Sequence, residues 1–114
     1  MEIIRLNLVP SGPVSRFGSE GFSVAGVGRI QAGHLACLRL AADGRIGRHP
    51  AVGRQLLLLV SGDATVSGDD GAPVELMPGE VAVWAPGESH ETTSDAGMTA
   101  FVVEGEVELS PGVS

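Results

Sequence analysis

The sequence has no lysine and no tyrosine, and it contains a single cysteine, Cys37. Because a Schiff base needs a lysine amine, the absence of lysine excludes imine-forming catalysis. The absence of tyrosine excludes a phenol as catalytic acid or base. A lone cysteine cannot form an internal disulfide, which is typical of a protein in a reducing compartment.

Long apolar runs and basic clusters are missing as well. The longest apolar run is LLLLV, residues 56–60, whereas a helix needs roughly 20 apolar residues to span a bilayer. The N-terminal stretch MEIIRLNLVPSG does not have the pattern of a signal peptide. The seven basic residues are scattered arginines in a chain of net charge -7, which argues against a nucleic-acid surface. We therefore expect a cytoplasmic protein that binds neither membranes nor nucleic acids.

Short apolar runs separated by turn residues are abundant in the 114 residues. None of them shows a long helical period. Nine runs read as strands: EIIRLNL, FSVAGVGRI, HLACLRLA, QLLLLV, DATVSG, PVEL, EVAVWA, HETTS and MTAFVVEG. Turn signals such as AADGRIG, MPGE and APGES lie between them. Many short strands with regular turns predict one all-β domain, a sandwich or barrel with little or no helix.

The stretch QLLLLVSGDATVSG predicts a hairpin with Gly62 and Asp63 at its corner. Side chains alternate along a strand, so Leu56, Leu58 and Val60 share the face opposite to Gln55. Both faces of this strand are largely apolar, and both must be covered. One face can line a barrel, and the other must meet another layer, the N-terminal segment or a second subunit. We therefore expect a homodimer packed on that face.

The stretch GRIGRHPAVGRQLLLLVSG, residues 44–62, resembles the first conserved motif of the cupin superfamily of small β-barrels. In that motif a glycine precedes an H-x-H pair, a glutamate and a closing glycine. His49 takes the position of the first histidine, and Ala51 replaces the second. Gln55 stands at the glutamate position, and Gly62 is the closing glycine. The gap from Gly44 to His49 is one residue shorter than usual.

The stretch GEVAVWAPGESHETTS, residues 79–94, resembles the second cupin motif, in which a glycine, P-x-G, a histidine and an asparagine follow at fixed spacing. Gly79, Ala85, Gly87, His90 and Ser94 fall on these positions, with alanine for proline and serine for asparagine.

The resemblance implies a jelly-roll β-barrel, a single cupin domain over residues 1–114. Its motif-bearing core spans about 44–94, with N-terminal strands in 1–43 and a C-terminal strand and tail in 98–114. The tail, ELSPGVS, is expected to fray.

The same resemblance implies a metal site, because cupins normally hold a divalent ion with three histidines and one glutamate. This chain keeps His49 and His90 at ligand positions, while Gln55 offers an amide oxygen without charge. Such a set implies an ion held weakly, namely Zn, Ni, Fe, Mn or Cu, with nitrogen ligands favouring Zn, Ni or Cu. No nucleotide cofactor is expected.

Other side chains near the motifs are candidates for ligand binding. His34 opens a strand on which Ala36 would face inward with it, so it could stand in for the lost histidine or be an ordinary strand-end residue. Trp84 could belong to the core, the pocket edge or both. Thr92 and Ser94 are expected to contact a small molecule. Cys37 is expected in the core or at an interface.

Carboxylates beside His90 could supply the missing charge. Strand alternation places Glu91 on the opposite face from His90, and the direction of Glu88 in the turn cannot be read from the sequence.

Two classes of function remain open at this point. The chain could be a cupin-type protein that binds a divalent metal, a small organic ligand or both without catalysis. Alternatively it could be a metal-dependent dioxygenase or isomerase that acts on a small metabolite, with the ion as Lewis acid. A sugar-nucleotide epimerase of the cupin kind ranks last. The proteins that such an enzyme would resemble use a histidine and a tyrosine, and this chain has no tyrosine.

Overall fold

The computed structural model describes residues 1–111, and these form a protein built almost wholly of strands. The last three residues of the expected frayed tail lie outside the described residues. The strands run in this order: β1 Glu2–Arg5, β2 Gly12–Pro13, β3 Ser23–Val24, β4 Gly28–Leu40, β5 Arg45–Pro50, β6 Arg54–Gly62, β7 Ala64–Ser67, β8 Val74–Leu76, β9 Glu80–Trp84, β10 Ser89–Thr93 and β11 Met98–Leu109. Two short 3-10 helices, Leu6–Leu8 and Arg16–Gly18, complete this part of the chain.

The strands form two antiparallel sheets that enclose the core. The larger sheet has five strands in the order β1-β9-β6-β11-β4, and the smaller has four in the order β5-β10-β7-β8. A separate ribbon pairs β2 with β3. Between the two sheets lies one apolar cluster: Leu57, Leu59, Ala64, Val66, Leu76, Ala82, Trp84, Met98, Ala100 and Val102. The prediction of an all-β jelly roll with little helix is confirmed.

Several details of the strand prediction are wrong. EIIRLNL is a strand only as far as Arg5, and FSVAGVGRI is divided between β3 and β4. The predicted turn AADGRIG overlaps the start of β5, Arg45–Pro50, which carries His49. The sequence SGDATV is not a hairpin, because β6 and β7 belong to different sheets. Gly62, with a φ of 84°, lets the chain leave one sheet for the other at this point.

The outer face of the five-stranded sheet is only partly covered. Leu56 and Leu58 are half-buried beside Ile4, Val81 and Val83, where the N-terminal segment packs against the sheet. Further along the same face the side chains emerge into solvent. Leu35 is 71% exposed, and Phe101 and Val60 are each 47% exposed. The N-terminal segment therefore accounts for part of the second apolar face predicted from the sequence.

Three glycines bring strand backbones into close contact at one end of the five-stranded sheet. Gly33 pairs directly with Gly105. A Cβ on Gly105, whose φ is 150°, would collide with the backbone of Ala32, and a Cβ on Gly53 would lie 2.9 Å from the carbonyl oxygen of Gly105. Glycine is therefore required at this crossing for steric reasons.

Among residues 1–111, no helix has the length and apolar character that crossing a membrane requires.

Candidate functional site

A cavity of about 430 Å³ lies between the two sheets, bordered by the edge strands β4 and β5. Its lining residues are His34, Ala36, Cys37, Leu38, Arg39, Ile46, His49, Gln55, Leu57, His90, Thr92, Val102 and Glu104. A second cavity of about 540 Å³ lies beside Ile3 and Leu8. Its Arg5 and Glu80 are already paired with each other at 2.9 Å, which leaves Glu75 as the other charged side chain in its lining.

The turn before β10 directs His90 into the cavity. The amide of Glu88 donates to the carbonyl of Ala85 at 3.0 Å, and Gly87 between them has a φ of 80°. Proline at the second position and a left-handed glycine at the third are the residues that a type II turn requires. The strand that follows places His90, which is only 2% exposed, on the inner face of the smaller sheet.

His49 and His90 lie directly opposite each other on β5 and β10. Their ring centroids are 4.4 Å apart. Nδ1 of His49 lies 2.7 Å from the carbonyl of Gly47, and Nδ1 of His90 lies 3.2 Å from the carbonyl of Glu88. A carbonyl oxygen only accepts, so Nδ1 carries the hydrogen in each of these two contacts, and Nε2 is the nitrogen left to offer a lone pair.

Two buried polar atoms at this site find no hydrogen-bond partner within the described part of the chain: Nε2 of His90 and Oε1 of Gln55. A buried polar atom without a partner costs about 1–3 kcal/mol, and such atoms are rare in folded proteins. Both atoms are acceptors, so they suit a ligand that carries positive charge or hydrogen-bond donors.

The pKa of His90 lies below its ordinary value. Burial is the main cause, and the hydrogen bond to the carbonyl of Glu88 opposes it. The nearby ring of His49 lowers the pKa further, while the carboxylates of Glu104 and Glu88 raise it. The net effect keeps the His90 ring neutral at pH 7, which is the form that binds metals.

Three polar side chains form a row across the inner face of the larger sheet. Glu104 on β11 lies directly opposite Gln55 on β6 and also directly opposite His34 on β4. Gln55 is 7% exposed, whereas His34 is exposed at the rim. Sequence reasoning missed Glu104, because alternation within MTAFVVEG groups Glu104 with Val102 but does not show which face of the sheet they share.

The other predicted pocket residues divide into two groups. Thr92, 1% exposed, lines the cavity together with His34. Trp84 lies behind His90, with ring centroids 4.5 Å apart, and its indole N–H donates to the carbonyl of Ser67. The structure places Ser94 in a turn, where its hydroxyl donates to Asp63 and accepts from the amide of Gly97. Trp84 and Ser94 are therefore not among the residues that line the cavity.

The carboxylate of Glu88 is engaged elsewhere in the structure. It receives hydrogen bonds from the ammonium group of Met1 at 2.8 Å and from the backbone amides of Ala85 and Asp69. Burial alone would raise the pKa of Glu88, but these hydrogen bonds outweigh it and hold the pKa below its ordinary value. Glu88 is thus part of a partly buried network with the first residue and two backbone amides, and it does not line the cavity.

Cys37 differs from the expectation of a core residue. It is an exposed free thiol on the edge strand β4, opposite Phe101 and at the border of the cavity. The core alternative is therefore wrong for this residue, and the interface alternative stays a prediction.

A metal ion fits part of this donor set. Within residues 1–111, no three side chains of histidine, cysteine, aspartate or glutamate stand together as metal ligands. The two imidazoles and the amide oxygen of Gln55 nevertheless present lone pairs inside one cavity, and two of these atoms are buried without partners. Nitrogen and neutral oxygen donors of this kind suit a borderline divalent ion.

Comparison with solved structures identifies the architecture. A cupin superfamily protein from Desulfitobacterium hafniense is 14% identical with a TM-score of 0.60, and the match covers 75% of this chain and 79% of that one. An RmlC-like cupin from Methanocaldococcus jannaschii with a double-stranded β-helix is 13% identical with a TM-score of 0.61, covering 75% and 84%. A Cupin 2 conserved barrel domain protein from Salinispora arenicola is 19% identical with a TM-score of 0.59, covering 72% and 74%. No protein-family model and no curated protein matches the sequence.

Proposed function

Since the chain has the cupin fold, a double-stranded β-helix, we propose that it binds a divalent metal ion, a small organic ligand or both in the cavity between its sheets. In this proposal Nε2 of His49, Nε2 of His90 and the amide oxygen of Gln55 hold the ion. Thr92 and His34 contact the organic ligand.

The observation that carries the proposal is the state of the two imidazoles. Nδ1 of each ring lies within hydrogen-bond distance of a backbone carbonyl, so Nε2 is the nitrogen that each ring can offer to an ion in the cavity. This arrangement fixes the tautomer and the ring orientation of metal-binding histidines. The buried, unpartnered Nε2 of His90 supports a binding role, because a structural histidine at that depth normally has a partner.

The cavity has room for more than an ion. Its volume of about 430 Å³ lies within the range of about 300–1,000 Å³ that small-molecule sites occupy. Apolar side chains such as Ile46, Leu57 and Val102 line it beside the polar groups. A bound divalent ion would supply Lewis-acid chemistry to an oxygen of such a ligand.

Calorimetric titration with zinc and nickel tests the proposal, using protein purified without a histidine tag. We expect stoichiometric binding by the wild type. His49→Ala should weaken it by at least about 100-fold, since even the loss of an outer-shell partner costs about 10–100-fold. His49 is exposed, so this variant does not disturb the core. Glu91→Gln, next to His90 in the sequence but on the other face of β10, is the matched control and should bind like the wild type.

Two further measurements separate the readings of this site. A panel of small metabolites screened by thermal shift identifies an organic ligand, because a ligand that binds the folded state stabilises it. Oxygen uptake or turnover by the iron-loaded protein would identify a dioxygenase or isomerase. A wild type that takes up no metal and is stabilised by no metabolite would refute the proposed function.

The expected homodimer is also part of this proposal. The outer face of the five-stranded sheet exposes Leu35, Val60 and Phe101. The edge strand β4 is 13 residues long and, within residues 1–111, pairs on one side only, with β11. Long apolar edge strands promote association unless they are covered, and a second copy of the chain would cover this one. The lone thiol of Cys37 supports the predicted cytoplasmic location, which stays a prediction.

A further inference from the structure

Glu104 is the sole carboxylate among the described residues that line the cavity. It lies on β11, beyond the two motif-bearing stretches, at a position that neither motif marks. Arg39 is the one permanent cation in the same lining, and its Cα partner is Thr99, in the row of β11 that alternates with Glu104.

The register places Glu104 next to the amide that replaces the expected acid. Glu104 and Gln55 are direct cross-strand partners, and such partners have Cβ atoms about 4.5–5.5 Å apart. Both lie on the inner face and line the same cavity. Two glutamates directly opposed in this way would repel each other. One glutamine and one glutamate therefore give this pair of positions a single negative charge.

Independent features point to a positively charged ligand at this place. Oε1 of Gln55 and Nε2 of His90 are both buried acceptors without partners in the part of the chain that the structure describes.

We propose that Glu104 is the charge-compensating residue of the cavity. It supplies from β11 the negative charge that Gln55 cannot supply, and it thereby favours a divalent cation over a neutral ligand. This inference rests on the proposed function, because it assigns a further residue to the same site. It explains how a cavity with an amide in place of an acid can still neutralise an ion.

Zinc affinity measured by calorimetry tests this role. Glu104→Gln should weaken zinc binding by about 10-fold or more, since a nearby opposite charge typically changes such equilibria by one to three powers of ten. Glu108→Gln is the matched control: it removes the same charge from the same strand, but Glu108 is exposed and lies outside the cavity lining. We expect its affinity to equal that of the wild type. Far-UV circular dichroism confirms that each variant is folded, and Glu104→Asp keeps the charge if Glu104→Gln does not fold.

A charge exchange between the partners distinguishes compensation from a structural role. The double variant Gln55→Glu with Glu104→Gln moves the carboxylate to the opposing strand and keeps the net charge. Zinc affinity should return at least to the wild-type value, because Coulomb attraction depends on charge and distance and position 55 is itself a ligand position in the proposed site.

The outcomes separate this inference from the proposed function. If the wild type binds zinc and Glu104→Gln binds it with equal affinity, the role of Glu104 is overturned and the histidine site is left intact. If Glu104→Gln binds zinc more weakly and the double variant does not recover the affinity, the role of Glu104 is also overturned. A wild type that binds no zinc would refute the metal site itself.

Discussion

Replacing Gln55 by methionine should stabilise the metal-free protein and weaken its metal binding. Gln55 is 7% exposed, and its Oε1 has no partner among residues 1–111. An unpaired buried acceptor costs about 1–3 kcal/mol, and methionine has a similar length without that acceptor. The free energy of unfolding should therefore rise by about 1–3 kcal/mol. At about 4 °C per kcal/mol for a domain of this size, Tm should rise by about 4–12 °C.

Calorimetric and urea unfolding in EDTA measure this difference without a contribution from bound ions. The matched control is Leu57→Met, two residues along the same strand and on the same face, where the side chain is apolar and 1% exposed. A swap of this kind removes no unpaired atom and should cost less than about 1.5 kcal/mol. With zinc at about 100 times its Kd the wild type should gain about 2.7 kcal/mol, and the variant should gain less. A Gln55→Met protein no more stable than the wild type in EDTA would refute the assignment of Oε1 as an unpaired group.

Two more outcomes follow from the site and from the outer face. The metal-free protein should lose stability as pH falls below 6.5, the ordinary pKa of histidine. Burial is the main cause that lowers the pKa of His90 in the folded protein, so the unfolded chain takes up the proton first. Urea unfolding at about pH 7.5 and about pH 5.5 should therefore show a smaller decrease for His90→Leu than for the wild type, and equal decreases would contradict this. In sedimentation velocity the wild type should be a dimer and Leu35→Glu a monomer. The control is Val52→Glu, which changes an exposed residue outside strands β4 and β11 and should stay dimeric. A monomeric wild type, or a dimeric Leu35→Glu, would exclude the outer face as the interface.

The turns of this fold were predictable because their causes are local. Pro86 and Gly87 fix a type II turn from their own backbone preferences, and the same dipeptide precedes β9, where Gly79 has a φ of 90°. The position of His90 beyond its turn follows from that. The strand β5 was not predictable in this way, because Gly47 and Pro50 are poor strand residues. Arg45–Pro50 becomes a strand through its pairing with β10, which is a contact between distant parts of the chain.

The candidate site was predictable only as far as the motifs reach. His49, His90 and Gln55 line one cavity, as the resemblance to the two cupin motifs implied. Glu104 could not be assigned from spacing alone, because its face depends on the register between β11 and β6. Ser94 occupies a motif position, but its hydroxyl is engaged by Asp63 and Gly97 in a turn that the sequence pattern does not reveal.

The glycine crossing of β4 and β11 limits how this protein can change. Gly33, Gly53 and Gly105 meet backbone to backbone, and Gly33 and Gly105 flank His34 and Glu104 in their strands. A larger residue at Gly105 would push two strands apart and shift both polar side chains at once. Under the proposed function, ligand selectivity would therefore change through the side chains that line the cavity, while the spacing of the strands that carry them stays fixed.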